Sequence, residues 1–158
     1  GRVTYQHWAA FWPLATDVFL GERINALPKY VVSNTLTDLS WNNSTLIQGD
    51  VPRAVARLRG APSGEIQVHG SCGLLQTLIE HDLVDEYRLW TFPVLLGNGK
   101  RLFDGGTIPA GLELIDSTTS STGVVINRYR RAGDIRYGTF EVDERGGVEA
   151  LWTEGDKL

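Results

Sequence analysis

Between Glu65 and Leu83 the chain runs from a short apolar alternation, Ile66 and Val68, through Gly70-Ser71-Cys72-Gly73 into a helical pattern. That pattern sets Leu74, Leu75, Leu78, Ile79 and Leu83 on one broad face. A strand that enters a helix through a glycine-rich turn gathers unpaired backbone N–H groups and the positive end of the helix dipole at one point, which suits a phosphate. Gly70 and Gly73 lack a Cβ, so the turn can take unusual dihedrals and a ligand can come close to the backbone. Taken alone, the stretch reads more readily as an ordinary strand-to-helix loop in which the glycines serve only the turn.

The neighbouring segments give it a setting. Lys29–Ser33 is a strand rich in β-branched and aromatic residues, and Ser44–Gln48, centred on Leu46 and Ile47, is a second. Asp50 caps the helix that follows, Pro52 occupies its first turn, and Val51, Val55 and Leu58 share one face. Glu65–His69 is the third strand. Strands alternating with helices imply parallel pairs joined by right-handed crossovers. The later chain is strand after strand: Asp85–Leu96, ending at Gly97-Asn98-Gly99, then Leu112–Ser120 and Val124–Arg131 as a hairpin around Thr122-Gly123, then Ile135–Val142. Ahead of them all, Thr4 is expected to cap a short helix bearing Trp8, Phe11 and Trp12 and closed by Pro13. A second short helix, Phe19–Leu27, ends at Pro28. The fold class is α/β: a mixed sheet, mostly parallel with an antiparallel C-terminal hairpin, and helices on both faces. Residues 1–142 form the domain, and the acidic, aperiodic residues 143–158 read as a tail.

A chain of 158 residues holds one domain with a real core. A net charge of −4 with no basic patch argues against a nucleic-acid partner. No apolar run approaches a membrane span and nothing resembles a signal peptide, so no membrane partner is expected and the protein is placed in the cytoplasm. The single cysteine, Cys72, excludes internal disulfides and cysteine-rich zinc sites, and His7, His69 and His81 lack metal-ligand spacing, so no metal is expected.

Known nucleotide signatures fail one by one. Gly99-Lys100 is followed by Arg101 where a P-loop needs Ser or Thr, and neither G-x-G-x-x-G nor G-x-S-x-G occurs. In an α/β sheet, however, ligands sit beyond the carboxyl ends of parallel strands. Three polar or glycine-rich segments fall at such ends or at a helix start: Gly1-Arg2-Val3-Thr4, Ser33-Asn34 and Gly70-Ser71-Cys72-Gly73. Together they have the makings of a dinucleotide site. Arg2 offers a bidentate fork to phosphate, or is a solvated arginine. Ser33 and Asn34 can donate to a phosphate or ribose, or serve only their turn. Cys72 reads as a small residue in a tight turn rather than a reactive thiol. His69 reads as a residue beside the site rather than in it. Trp8, Trp12 and Trp90 read as core or interface, and Asp85-Glu86 as solvated or ion-paired carboxylates rather than an acid/base dyad.

Four stretches, GRVTY at Gly1–Tyr5, LPKYVVSNTL at Leu27–Leu36, the run Gly70–Leu89 and PVLLGNGKRLF at Pro93–Phe103, together resemble the dihydrofolate-reductase-like superfamily. The nearest branch is the RibD C-terminal domain of the riboflavin-pathway deaminase-reductases and its stand-alone relatives. The resemblance implies an NADPH-dependent reductase that transfers a hydride to a pteridine- or pyrimidine-type substrate. It implies that Arg2, Val3 and Thr4 meet the cofactor's phosphates, with Arg2, Ser33 and Asn34 near the adenosine 2′-phosphate. It also implies that the backbone of Gly70, Ser71, Cys72, Gly73 and Leu74 cradles the pyrophosphate. In relatives the first two positions of that turn are often joined by a cis peptide, which Gly70-Ser71 would share. Relatives often pair as homodimers through their antiparallel C-terminal strands; here the strand of Trp90 and Phe92 is apolar on both faces, and the sequence does not fix which surface is used. In the family a first strand, a mobile loop and a helix precede the Gly-Arg motif and supply much of the substrate pocket. This sequence does not contain them, so the domain is expected to be N-terminally incomplete and no catalytic residue is assigned. No H-x-E…P-C-x-x-C pattern occurs, so the zinc deaminase half is also outside this sequence. The alternative is a catalytically inactive NADP(H)-binding sensor or assembly module.

Overall fold

A helix and a strand meet at Tyr5 and Val31, and Trp41 closes over both; these three residues form a buried cluster. In the computed structural model, residues 1–15, 19–62, 64–103, 107–135, 137, 140–142 and 148–150 are described. They belong to two units, Gly1–Asp85 with Val94–Ile108, and Glu86–Pro93 with Pro109–Leu158.

In the first unit, α1 spans Arg2–Phe11, and Trp12–Leu14 continues it as a single 3₁₀ turn holding Pro13. The helix begins three residues before the expected one. Its N-cap is Gly1, with no side-chain cap, and Tyr5 N donates to Gly1 O at 3.0 Å. The reason is packing. Tyr5, Trp8 and Trp12 recur at helical spacing, and starting the helix at Arg2 brings Tyr5 onto the face that meets Val31. α2 is Gly21–Ala26, shorter than the expected Phe19–Leu27, because Leu27 turns extended (φ −64°, ψ 145°) ahead of Pro28. Asn25 ties these pieces together: its Nδ2 donates to Trp12 O at 2.8 Å and its Oδ1 accepts from Trp41 Nε1 at 2.7 Å.

β1 (Lys29–Val32) and β2 (Ser44–Ile47) pair in parallel, with Val31 opposite Leu46. Lys29 also closes α2: its Nζ donates to Asn25 O and Leu27 O, each at 2.8 Å, and to Ile24 O at 3.2 Å, while lying 4.3 Å from the centre of the Trp41 ring. Partial burial lowers its pKa from the ordinary lysine value. Replacing Lys29 by Met should cost about 2 kcal/mol in urea unfolding, because three carbonyls lose a charged donor and the ring loses a cation. α3 (Val51–Arg59) follows the sequence expectation, with Asp50 Oδ1 accepting from Arg53 N at 3.1 Å. α4 is Cys72–Glu80, with Leu78 and Ile79 buried.

The expected third strand is a correction. Residues 64–70 carry no regular secondary structure and belong to no sheet among the described residues. Their alternation survives only in side chains: Gln67 bonds Glu65 on one side and His69 on the other, the latter at 3.0 Å. An alternating sequence makes a strand only when a neighbour completes the ladder. The parallel part of the sheet, expected to dominate, is therefore confined to β1–β2 among the described residues.

The second unit is an antiparallel sheet in the order β3–β5–β4. β3 is Glu86–Thr91, β4 is Leu112–Thr119 and β5 is Val125–Arg131. β3 stops at Thr91 rather than Leu96: its ladder ends where β5 begins, at Thr91 opposite Val125, and Pro93 two residues on has no N–H to extend it. The β4–β5 turn is the expected one, with Gly123 at φ +82° and Gly123 N donating to Ser120 O at 3.0 Å. Cross-strand pairs of opposite charge and of polar groups line the sheet, Arg130 with Glu113 at 2.9 Å and Ser117 with Asn127 at 2.7 Å. At the far end Gly111 lies so close to the chain that a Cβ there would sit 2.9 Å from Asp134 O. Gly111→Ala should therefore lower this unit's unfolding free energy by about 1–3 kcal/mol, read from a thermal melt. Of the expected strand Ile135–Val142, the part Phe140–Val142 is β6, and residues 136 and 138–139 lie outside the described residues. β6 pairs antiparallel with β7, Val148–Ala150, so a strand lies inside the stretch read as a tail. The rest of 143–158 lies outside the described residues. No helix among the described residues is long and apolar enough to cross a membrane.

Candidate functional site

Two helix starts meet in the first unit. Gly70 (φ +72°) and Ser71 (φ +68°) both take left-handed backbone, and Ser71 is the N-cap of α4 without using its hydroxyl to cap it. That hydroxyl instead accepts from Thr4 Oγ1 of α1 at 3.4 Å. Gly1 lies against the same serine, and a Cβ on Gly1 would run into the Ser71 side chain. A glycine at position 1 is thus what lets α1 begin against the α4 turn. All described peptides are trans, so the cis bond suggested for Gly70-Ser71 is not formed; two successive positive φ values turn the chain instead. A non-glycine residue held in αL is uncommon and strained, and such strain gathers at functional sites.

The turn is open. A Cβ built on Gly70 or on Gly73 meets nothing within 4 Å. The first-turn amides of α4, from Cys72, Gly73 and Leu74, have no intrahelical acceptor and carry the positive end of the helix. Cys72 is an exposed free thiol in this turn. The surroundings suit a phosphate: open space over two glycines, backbone donors and no carboxylate among the described residues that line it. Facing α4 is a cleft of about 420 Å³, lined by Cys72, Gly73 and Gln76 and, from the loop after Gly97, by Gly99, Lys100 and Arg101. That volume is within the range of roughly 300–1,000 Å³ usual for small-molecule sites. Lys100 and Arg101 had no site role in the sequence reading, where Gly99-Lys100 fails as a P-loop and Pro93–Phe103 counts only toward the family resemblance. Two adjacent cations after a glycine pair were the available signal.

The other candidates are placed as follows. Arg2 is exposed on the first turn of α1, its Nη1 donating to Gln6 Oε1 at 3.0 Å, and Val3 beside it is also exposed. Ser33 is buried at the carboxyl end of β1. Its Oγ accepts from Thr35 N at 3.2 Å and Leu36 N at 3.1 Å, so its lone pairs are engaged by its own turn. Asn34 is exposed next to it. The hydrogen bonds join Thr4 to Ser71, whereas those of Ser33 stay within its turn and the β1–β2 pair. His69 stacks at a tilt on Trp8, ring centres 5.1 Å apart, and Trp8 meets Trp12 edge-on at 5.8 Å. Both tryptophans pack against the Tyr5 cluster, as expected, whereas Trp90 is 62% exposed. Asp85 is ion-paired with Arg59, and Glu86 with Arg88 at 2.8 Å, in keeping with a non-catalytic reading of that dyad. No group of three His, Cys, Asp or Glu among the described residues is arranged to hold a metal.

Comparison with known proteins matches residues 3–126 to the RibD C-terminal domain family. The uncharacterized protein YyaP of Bacillus subtilis (strain 168) is 32% identical over 129 residues, covering 79% of this chain and 68% of that protein. A crystal structure from Shewanella sp. PV-4, named provisionally as a riboflavin biosynthesis protein, superposes with a TM-score of 0.59 at 26% identity. The match covers 68% of this chain and 62% of that one.

Proposed function

This chain belongs to the RibD C-terminal domain family, a reductase-like family with a mixed α/β fold, and from that premise we propose that it is an NADPH-dependent reductase acting on a pteridine- or pyrimidine-type substrate. NADPH, when bound, supplies a hydride; the chain supplies the grip and the orientation. The observation that carries the reading is the meeting of Gly1–Thr4 with Ser71. These two segments, which this reading assigns to the cofactor's phosphates, touch at the start of α4, and that contact supports it. In this reading the amides of Gly70, Ser71, Cys72, Gly73 and Leu74 hold the pyrophosphate. Arg2, Val3 and Thr4 flank it, and Arg2 with Ser33 and Asn34 faces the 2′-phosphate. Because Ser33 Oγ is already an acceptor twice over, its part there is limited to the proton it can still donate.

Titration with NADPH and NADH tests this, using the fluorescence of Trp8 and Trp12. NADPH should bind more tightly, and Arg2→Ala should reduce that preference by roughly tenfold, the worth of one charge-assisted contact. Equal, weak binding of both nucleotides would count against the reading. Tight binding without turnover on pterins or aminopyrimidine ribosides would favour the non-catalytic module instead.

We further take the protein to work in the cytoplasm as a homodimer, paired through the β3–β5–β4 sheet, on whose edge strand Trp90 lies 62% exposed. Light scattering should give twice the chain mass for the parent protein and the single mass for Trp90→Lys. A parent protein that stays monomeric at high concentration would remove this part of the proposal.

A further inference from the structure

The cleft beside α4 has a second wall that the cofactor reading does not use. Lys100 and Arg101 lie across from Cys72 and Gly73, and Gln76 holds their loop in place. Gln76 Nε2 donates to Leu102 O at 2.7 Å and to Arg101 O at 3.3 Å, so the backbone carrying both cations is tied to α4 itself. Four other arginines lie beside acids: Arg59 with Asp85, Arg88 and Arg128 with Glu86, Arg130 with Glu113. Lys100 and Arg101 have no carboxylate partner among the described residues. Two neighbouring cations set against the positive end of a helix repel one another and the helix. The arrangement is relieved by an anion between the walls.

We propose that Lys100 and Arg101 form the cationic wall of a diphosphate site whose other wall is the first turn of α4. On the reading given above, which this inference extends, the group they hold is the diphosphate of the dinucleotide. Arg101 presents a planar fork matched to phosphate oxygens and Lys100 a compact charge. Gly97, at φ +74°, and Gly99, with open space where a Cβ would be, let the loop bend close to the cleft. The net charge of −4 on the whole chain does not oppose this, because the relevant field is that of the cleft.

The test is calorimetric titration of the full-length protein with NADPH and, separately, with inorganic pyrophosphate, at low and at moderate salt. The Lys100→Gln, Arg101→Gln double variant should weaken both ligands by roughly a hundredfold and flatten the salt dependence. The charge-keeping double variant Lys100→Arg, Arg101→Lys should stay within a few-fold of the parent. Arg101→Gln alone, expected at roughly tenfold, serves should the double variant fail to fold. NADPH bound equally by the parent and the neutral variant overturns the cationic wall and leaves the cofactor reading standing. Pyrophosphate bound by the parent and lost in the neutral variant, with no dinucleotide binding, supports the wall and overturns the cofactor reading. A parent protein that binds neither ligand overturns both.

Discussion

Trp41→Ala is expected to remove about 3–5 kcal/mol from the unfolding free energy of the first unit, the range for emptying a large aromatic from a core. Trp41 is 5% exposed, and its ring lies 6.5 Å from that of Tyr5. Its loss leaves Asn25 Oδ1 without the Nε1–H donor at 2.7 Å and takes away the ring beneath Lys29. Domains have only about 5–15 kcal/mol in hand, so this change alone should bring much of the unit near its midpoint at moderate temperature. Urea unfolding followed by far-ultraviolet circular dichroism measures it. Tyr5→Phe is the milder companion: it removes the hydroxyl that accepts the Trp41 backbone N–H at 3.0 Å, and should cost about 1–3 kcal/mol. Both changes loosen α1, so both should also weaken nucleotide binding through the Thr4–Ser71 contact, although neither residue lines the cleft. A loss under about 1 kcal/mol for Trp41→Ala would mean that the cluster is not the core it is taken for.

Gly73→Leu should act in the opposite sense on its two readouts. Gly73 is the second residue of α4, and a side chain there meets no protein atom within 4 Å of its Cβ. Leucine is the better helix former by up to about 1 kcal/mol, so the melting temperature should hold or rise. The added side chain, however, occupies the cleft in front of the first-turn amides. Binding of NADPH should fall at least roughly a hundredfold, a loss of about 2.7 kcal/mol. Raised stability with lost binding is a pattern that general damage to the fold does not produce. Unchanged affinity in Gly73→Leu would show that the ligand does not approach this turn.

Much of this was legible from short stretches of chain because the physics there is local. Asp50 and Pro52 predicted α3 because a carboxylate accepting an amide three residues on, and a ring with no N–H to waste, suit a first turn whatever surrounds it. Gly123 marked the β4–β5 turn, and Gly70 marked the turn into α4, for a similar reason: positive φ is inexpensive at glycine. Thr4 misled as a cap. Its hydroxyl is drawn to Ser71, 67 residues away, and a local rule cannot weigh a partner at that distance.

Sequence alone therefore determined where backbone is started, stopped and turned, and that glycine-flanked amides would face outward at the head of α4. Only the tertiary structure decided which of the expected segments found partners. Glu65–His69 has the alternation of a strand yet joins no sheet, since a ladder needs a neighbour and no residue can provide its own. Trp41, set in a polar stretch with no periodicity, became the centre of the core because Asn25, Lys29 and Tyr5 converge on it from three elements. Lys100 and Arg101 came to face Cys72 through the side chain of Gln76. Each of these is a meeting of residues distant along the chain, and such meetings are settled by packing rather than by propensity.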